Sequence, residues 1–203
     1  MKRIVVSQRV DAIQNRGEVR DALDQKLVKF FAKIGFMSCP APNSLVDLQN
    51  RELLHSWLKE IKPEAIVLSG GNNIGDFTSR DKTEDTLIRY ASNEELPLLG
   101  ICRGMQMIAH YHGTSLVPLK GHVKCRHRLE GEISWEVNSF HEFALEKCPS
   151  GFQVFATCSI DGSVEGIKHN SLPWEGWMWH PERDETFCNL QLSRAKNLLE
   201  GKN

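Results

Sequence analysis

Residues 100–104 read Gly-Ile-Cys-Arg-Gly, directly after an apolar run at 96–101 and before a helix-like stretch at 105–112. Glycine two positions to either side of a cysteine, where a strand turns into a helix, is the arrangement of a nucleophile elbow. A side chain lifted off a sharp turn needs neighbours without a Cβ, because backbone and substrate crowd it. A thiolate at a helix N-terminus also gains from the helix dipole. Taken alone, the pentapeptide is equally compatible with Cys102 being a buried, inert core cysteine.

Acyl transfer at Cys102 requires a base and an oxyanion hole. His180, in His180-Pro181-Glu182, can take the thiol proton and return it to a departing nitrogen. Glu182 can orient the imidazole and stabilise its protonated form. Gly70-Gly71 closes a second apolar strand, and the backbone N–H groups of Gly71 and Arg103 can hold an oxyanion. Each such donor is worth about 3 kcal/mol of barrier. Each piece has a plainer reading: a turn for His-Pro-Glu, a flexible loop for Gly-Gly. His110, His112, His122 and His127 fit surface or core positions. The order His122-x-x-Cys125-x-His127 matches no common structural zinc spacing, and no metal is expected.

The 203 residues carry a formal charge of −1, which gives no basis for nucleic acid or an anionic membrane as partner. Cys39, Cys102, Cys125, Cys148, Cys158 and Cys188 are scattered with no C-x-x-C pair. Reduced thiols are therefore expected rather than a disulfide framework. The start, Met1-Lys2-Arg3-Ile4-Val5-Val6, is too briefly apolar for a signal peptide, and a cytoplasmic protein is expected.

The elements that must position these groups follow from periodicity. Residues 2–7 and 65–69 are short apolar runs suited to buried parallel strands. Val19, Leu23, Leu27, Phe30, Phe31 and Ile34 recur at helical spacing and end at Gly35. A short strand is expected at 36–41, and Asp47 is a candidate cap for a helix carrying Leu53, Leu54, Trp57, Leu58 and Ile61. A further helix is expected to end near residue 93. The second half is richer in strands, at 132–138, 152–158, 164–168 and 176–179, before a closing helix over 184–200. Trp177 and Trp179 should share a face. This alternation predicts an α/β fold: a three-layer, doubly wound (flavodoxin-like), mostly parallel sheet with a β-rich C-terminal half, built as one domain over residues 1–203.

Several motifs occur together. They are Ser69-Gly70-Gly71, Arg80-Asp81, Leu98-Leu99-Gly100-Ile101-Cys102-Arg103-Gly104-Met105-Gln106, Val137-Asn138-Ser139-Phe140-His141, Asp161-Gly162-Ser163-Val164-Glu165-Gly166-Ile167 and Trp179-His180-Pro181-Glu182. As a set and in this order, the chain resembles the class I glutamine amidotransferase-like superfamily. More narrowly, it resembles the stand-alone γ-glutamyl hydrolase branch (peptidase C26). The resemblance implies Cys102 as nucleophile, with His180 and Glu182 completing a triad. It also implies that Gln106, Ser139, Phe140 and His141 help hold the glutamyl head, for which a Gln amide supplies both donor and acceptor.

The chain departs from the branch in three places. Ser69 stands where proline is usual. Phe140-His141-Glu142 replaces the His-His-Gln of members that release γ-aminobutyrate. Lys120, Lys124, Arg126 and Arg128 form a basic stretch. Cations beside an acyl-transfer site suit a phosphate-bearing, nucleotide-linked leaving group; the plainer reading is a solvated hairpin face. The expected activity is cysteine-dependent hydrolysis of a γ-glutamyl amide through a glutamyl thioester, releasing L-glutamate without metal or organic cofactor. One alternative is a glutaminase subunit passing ammonia to a separate synthetase. Another is a non-enzymatic binding module.

Overall fold

The computed structural model describes residues 1–46 and 52–202. In chain order the first half holds β1 (Lys2–Val6), β2 (Arg9–Ile13), β3 (Glu18–Ala22), α1 (Gln25–Lys33), β4 (Phe36–Pro40), α2 (Glu52–Ile61), β5 (Ala65–Leu68), α3 (Thr78–Asn93), β6 (Leu98–Ile101) and α4 (Arg103–Tyr111). The second half holds β7 (Leu116–Pro118), β8 (Val123–Gly131), β9 (Glu136–Phe140), β10 (Phe143–Leu145), β11 (Phe152–Cys158), β12 (Val164–His169), β13 (Trp174–Trp177) and α5 (Asn189–Leu199).

Nine strands form one sheet in the order β4-β1-β5-β6-β13-β12-β11-β8-β9. From β4 to β13 the neighbours run parallel; beyond β13 they alternate antiparallel. The order reverses after β1, so crossover helices fall on both faces, as a doubly wound sheet requires. Strand alternation divides the core accordingly. Ile4, Val6, Leu99 and Ile101 pack with Phe30 and Phe31 of α1 and Leu192 and Leu198 of α5. Val5, Ile66 and Leu68 pack with Leu58 of α2, Leu87 of α3 and Met105 and Ile108 of α4. The fold is thus the expected three-layer α/β arrangement. Trp177 and Trp179 stack on the first of these faces, ring centres 5.2 Å apart.

The helix expected from Val19 onward begins later. Gly17 turns the chain at φ 62°, and β2 pairs with β3 residue for residue from Arg9↔Ala22 to Ile13↔Glu18. Val19 lies on this hairpin with 69% of its surface exposed, so its helical spacing to Leu23 and Leu27 reflects no common face. The helix starts where Asp24 accepts a hydrogen bond from the Lys26 N–H, 2.8 Å away, as an N-cap. The strand expected at 132–138 begins at Glu136, and β7, β8 and β10 were not anticipated. In β8 only His127 and Leu129 are buried, too weak an alternation to read through its charges. The Asp47 cap falls outside the described residues. Among those described, no helix is long and apolar enough to cross a membrane.

Candidate active site

Cys102 caps α4 immediately after β6, with φ 51° and ψ −106°, a backbone region costly for any residue bearing a Cβ. The two flanking glycines make that turn possible. A Cβ on Gly104 would lie 2.1 Å from the Leu68 carbonyl oxygen, and one on Gly100 would lie 2.6 Å from the Gly104 carbonyl carbon. Backbone is packed against backbone at both points, so no side chain fits. The Cys102 N–H donates to Trp177 O at 2.6 Å, tying the elbow to β13, the parallel neighbour of β6. The cysteine is 7% exposed.

That pairing brings His180 to the elbow, because it follows β13 by three residues. His180 Nδ1 lies 2.7 Å from Glu182 Oε1, and both residues are buried. Burial pushes the imidazole pKa down. The Glu182 charge, the Cys102 charge and hydrogen bonds to both outweigh it, leaving His180 raised to about 9. Asn138 of β9 clamps the backbone of His180 from both sides: its Nδ2 donates to His180 O at 2.7 Å and its Oδ1 accepts from His180 N at 3.0 Å. Gly70 lies against the imidazole, where a Cβ would come 2.5 Å from Cε1. The structure thus brings together Cys102, His180, Glu182, Gly70 and Gly71.

Gly71, at φ 128°, is held by a residue to which the sequence assigned no role. Arg80 of α3 donates to the carbonyls of Ser69 at 2.7 Å and Gly70 at 3.0 Å, and to Asn72 Oδ1 at 3.2 Å. Asn72 in turn bonds both the N–H and the carbonyl of Val10, at 2.8 and 2.9 Å, pinning the β2–β3 hairpin over the glycine loop. The side chain of Arg103 turns away from the cysteine into ion pairs with Asp81 and Glu84, leaving its backbone as the part available at the elbow. Ser7 Oγ also donates to Glu84, at 2.8 Å, so one buried carboxylate serves two guanidiniums and a hydroxyl.

A cleft of about 340 Å³ opens beside the elbow, lined by Gly71, Cys102, Gln106, Phe140, His141 and Phe143, among others. Gln106 Nε2 donates to Phe143 O at 3.0 Å. Phe140 sets its ring edge-on to His180, centres 6.0 Å apart. Ser139 lies behind this wall, its hydroxyl donating to His122 O at 2.8 Å. A smaller hollow of about 60 Å³ shares Gly71 and is lined by Arg9, His180, Glu182 and Arg183. In the basic stretch, Arg126 is neutralised by Glu136 at 2.9 Å and Asp184 at 2.8 Å. Arg9, paired with Asp11 at 2.8 Å, and Arg183, 3.8 Å from Glu182, are cations lining this hollow, and neither is a candidate from sequence. Arg183 directly follows the motif that carries His180, and its guanidinium lies 4.6 Å from the Phe140 ring centre.

Comparison with known proteins agrees with this architecture. Residues 12–194 match the family described as glutamine amidotransferase class-I. The gamma-glutamyl-CDP-amidate hydrolase of Campylobacter jejuni is 33% identical over 197 residues, covering 93% of this chain and 94% of that protein. Anthranilate synthase component 2 of Methanocaldococcus jannaschii is 26% identical over 196 residues, covering 89% and 92%. The crystal structure of a glutamine amidotransferase from Thermotoga maritima superposes with a TM-score of 0.64 at 18% identity, over 99% of this chain and 94% of that one. Elbow, sheet order and sequence agree: the chain belongs to the glutamine amidotransferase class-I family.

Proposed function

We propose that this chain is one catalytic unit that hydrolyses a γ-glutamyl amide, with Cys102 as nucleophile and His180 and Glu182 completing a triad. The thiolate attacks the side-chain carbonyl, and the backbone N–H groups of Gly71 and Arg103 hold the oxyanion. The C–N bond then breaks, and the departing nitrogen takes the proton from His180. Water, deprotonated by His180, attacks the resulting glutamyl thioester, releasing L-glutamate and regenerating the Cys102 thiolate beside protonated His180. No step calls for a metal or organic cofactor. Gln106, Phe140 and His141 bound the space for the glutamyl head, and Ser139 supports that wall from behind. The observation that carries this reading is the convergence of Cys102 and the buried His180–Glu182 pair on adjacent strand ends.

The leaving group is proposed to bear phosphate, with γ-glutamyl-CDP-amidate as substrate. Hydrolysis would yield cytidine diphosphoramidate in the cytoplasm, for capsular polysaccharide modification. The near full-length similarity to the Campylobacter jejuni protein supports this, as do Arg9 and Arg183 beside His180. The test is a panel of neutral and phosphate-bearing γ-glutamyl amides scored by glutamate release. Phosphate-bearing compounds are expected to have the higher kcat/KM; equal values for neutral amides would remove the nucleotide assignment. Similarity to anthranilate synthase component 2 over nearly both chains favours a second reading, a glutaminase subunit. Glutamine hydrolysis that appears only when a synthetase is added would select it.

The raised pKa of His180 sets a pH limit. Between about pH 6.5, the ordinary imidazole value, and about 9, the folded protein holds a proton that the unfolded chain has released. The stabilisation this supplies is complete below the unfolded value and disappears as pH rises through about 9. The acid that protonates the leaving nitrogen disappears over the same range. A kcat/KM profile is expected to fall on the alkaline side near pH 9; an activity still rising there would count against His180 as the acid.

A further inference from the structure

At the back of the cleft lies a second buried group of ionisable side chains, of which the hydrolysis scheme uses only His141, as part of the wall. His122 precedes β8, His141 follows β9 and Glu165 sits in β12, and all three are buried. Three of their atoms converge. His122 Nδ1 is 3.2 Å from His141 Nε2, His141 Nε2 is 3.3 Å from Glu165 Oε1, and His122 Nδ1 is 3.5 Å from Glu165 Oε1.

The opposite ring nitrogens fix where the protons sit. His141 Nδ1 lies 3.0 Å from the Phe143 carbonyl oxygen, which only an N–H can approach, so Nε2 of the neutral ring presents its lone pair. His122 Nε2 lies 3.0 Å from the Asp161 carboxylate, so its Nδ1 does the same. The Ser139 hydroxyl, 3.4 Å from His122 Nδ1, gives its proton to the His122 carbonyl instead. Glu165 Oε1 brings a carboxylate oxygen to the same point, within 3.5 Å of both nitrogens. Three lone pairs therefore meet at one buried point.

We infer that His122, His141 and Glu165 form a binding site for a divalent transition metal, zinc by its coordination chemistry. Zinc bonds of about 2.0–2.1 Å to nitrogen and oxygen place the corners of a tetrahedron about 3.3–3.4 Å apart, which matches the three separations. The outer contacts also match: metal-ligating imidazoles give their other N–H to a carboxylate or a backbone carbonyl, here Asp161 and Phe143. Ser139 Oγ or water completes the fourth corner. The Cys125 thiol, part of the spacing that fits no zinc motif, is bonded to Gly121 O; the ligands come instead from three separate strands' ends. The ion would staple the outer β8–β9 pair to β12 and fix His141 in the wall of the cleft.

His122 also belongs to a second triple with His127 and Cys158, and the test separates the two. Tag-free protein is stripped with chelator and titrated with zinc chloride while thermal unfolding is followed. One equivalent is expected to bind, raising Tm by about 5–10 °C at a hundredfold excess over Kd, with magnesium giving no comparable rise. Glu165→Gln and His122→Asn should each weaken zinc binding by about 100-fold or more, whereas Cys158→Ser should leave it within about threefold. X-ray absorption of the zinc-loaded wild type needs no variant. Nitrogen and oxygen neighbours near 2.0 Å are expected, and a sulfur neighbour near 2.3 Å would assign the ion to the Cys158 triple and overturn the proposal. A wild type that gains no stability from zinc, or a Glu165→Gln protein that gains as much, overturns it equally.

Discussion

Replacing Cys102 with alanine is expected to lower glutamate release from a γ-glutamyl amide by about 10⁴-fold or more, the loss typical when the nucleophile of a triad is removed. The size of the effect follows from the division of labour proposed for the site. The oxyanion donors and the substrate cleft survive the substitution, but no group remains to form the thioester. Cys102 sits at φ 51° whatever its side chain, and alanine adds no atom to the packed contact between Gly104 and Leu68. Unfolding temperature should therefore move by only a few degrees. Two measurements decide the matter: steady-state glutamate release, and mass spectrometry of wild type quenched during turnover. A glutamyl adduct on Cys158 or any other cysteine would refute the assignment, as would an alanine variant of near-normal rate.

Glu84→Gln is expected to cause the largest loss of stability among single substitutions near the site. Burial lowers the pKa of Arg80 to about 10 and that of Arg103 to about 9, so both remain cations at neutral pH. Both are buried, and both pair with the fully buried Glu84. Removing its charge leaves two buried guanidiniums to share Asp81, and breaking such a buried pair costs about 3–5 kcal/mol. For a chain of this length that is a fall in Tm on the order of 10 °C. Activity should fall with it, because Arg80 holds the Ser69 and Gly70 carbonyls and Arg103 begins the helix that Cys102 caps. Calorimetry together with kcat on the folded fraction checks both; a variant that melts with wild type would show that Asp81 alone balances the cluster.

The parts legible in sequence were those set by short-range rules. Gly100 and Gly104 announced the elbow because only glycine tolerates the backbone contacts found there. Continuous apolar runs marked β1, β5 and β6, which lie buried between two helical layers. The hairpin at Arg9–Ala22 was lost because its residues are mostly exposed, so neither face carries an apolar alternation. Positioning residues were hidden for a different reason. Asn138 acts on His180 across 42 positions, and Asn72 acts on Val10 across 62; nothing local distinguishes such an amide from one in a turn. Arg80 and Asn138 stood inside motifs that marked the family, yet their roles needed the sheet order to become visible. The clustering of His122, His127 and His141 around Glu165 was not legible, because spacing along one segment says nothing about side chains gathered from three.

The hairpin that Asn72 fastens over the glycine loop has a consequence for how such proteins diversify. The acyl chemistry rests on two neighbouring strands of the inherited frame, whereas Arg9 reaches the rim from a ribbon fastened by the amide side chains of Asn72 and Asn43. Lengthening, recharging or exchanging that ribbon would change which amine is released while leaving bond cleavage untouched. New specificities can then arise at the periphery, with little penalty to the machinery beneath.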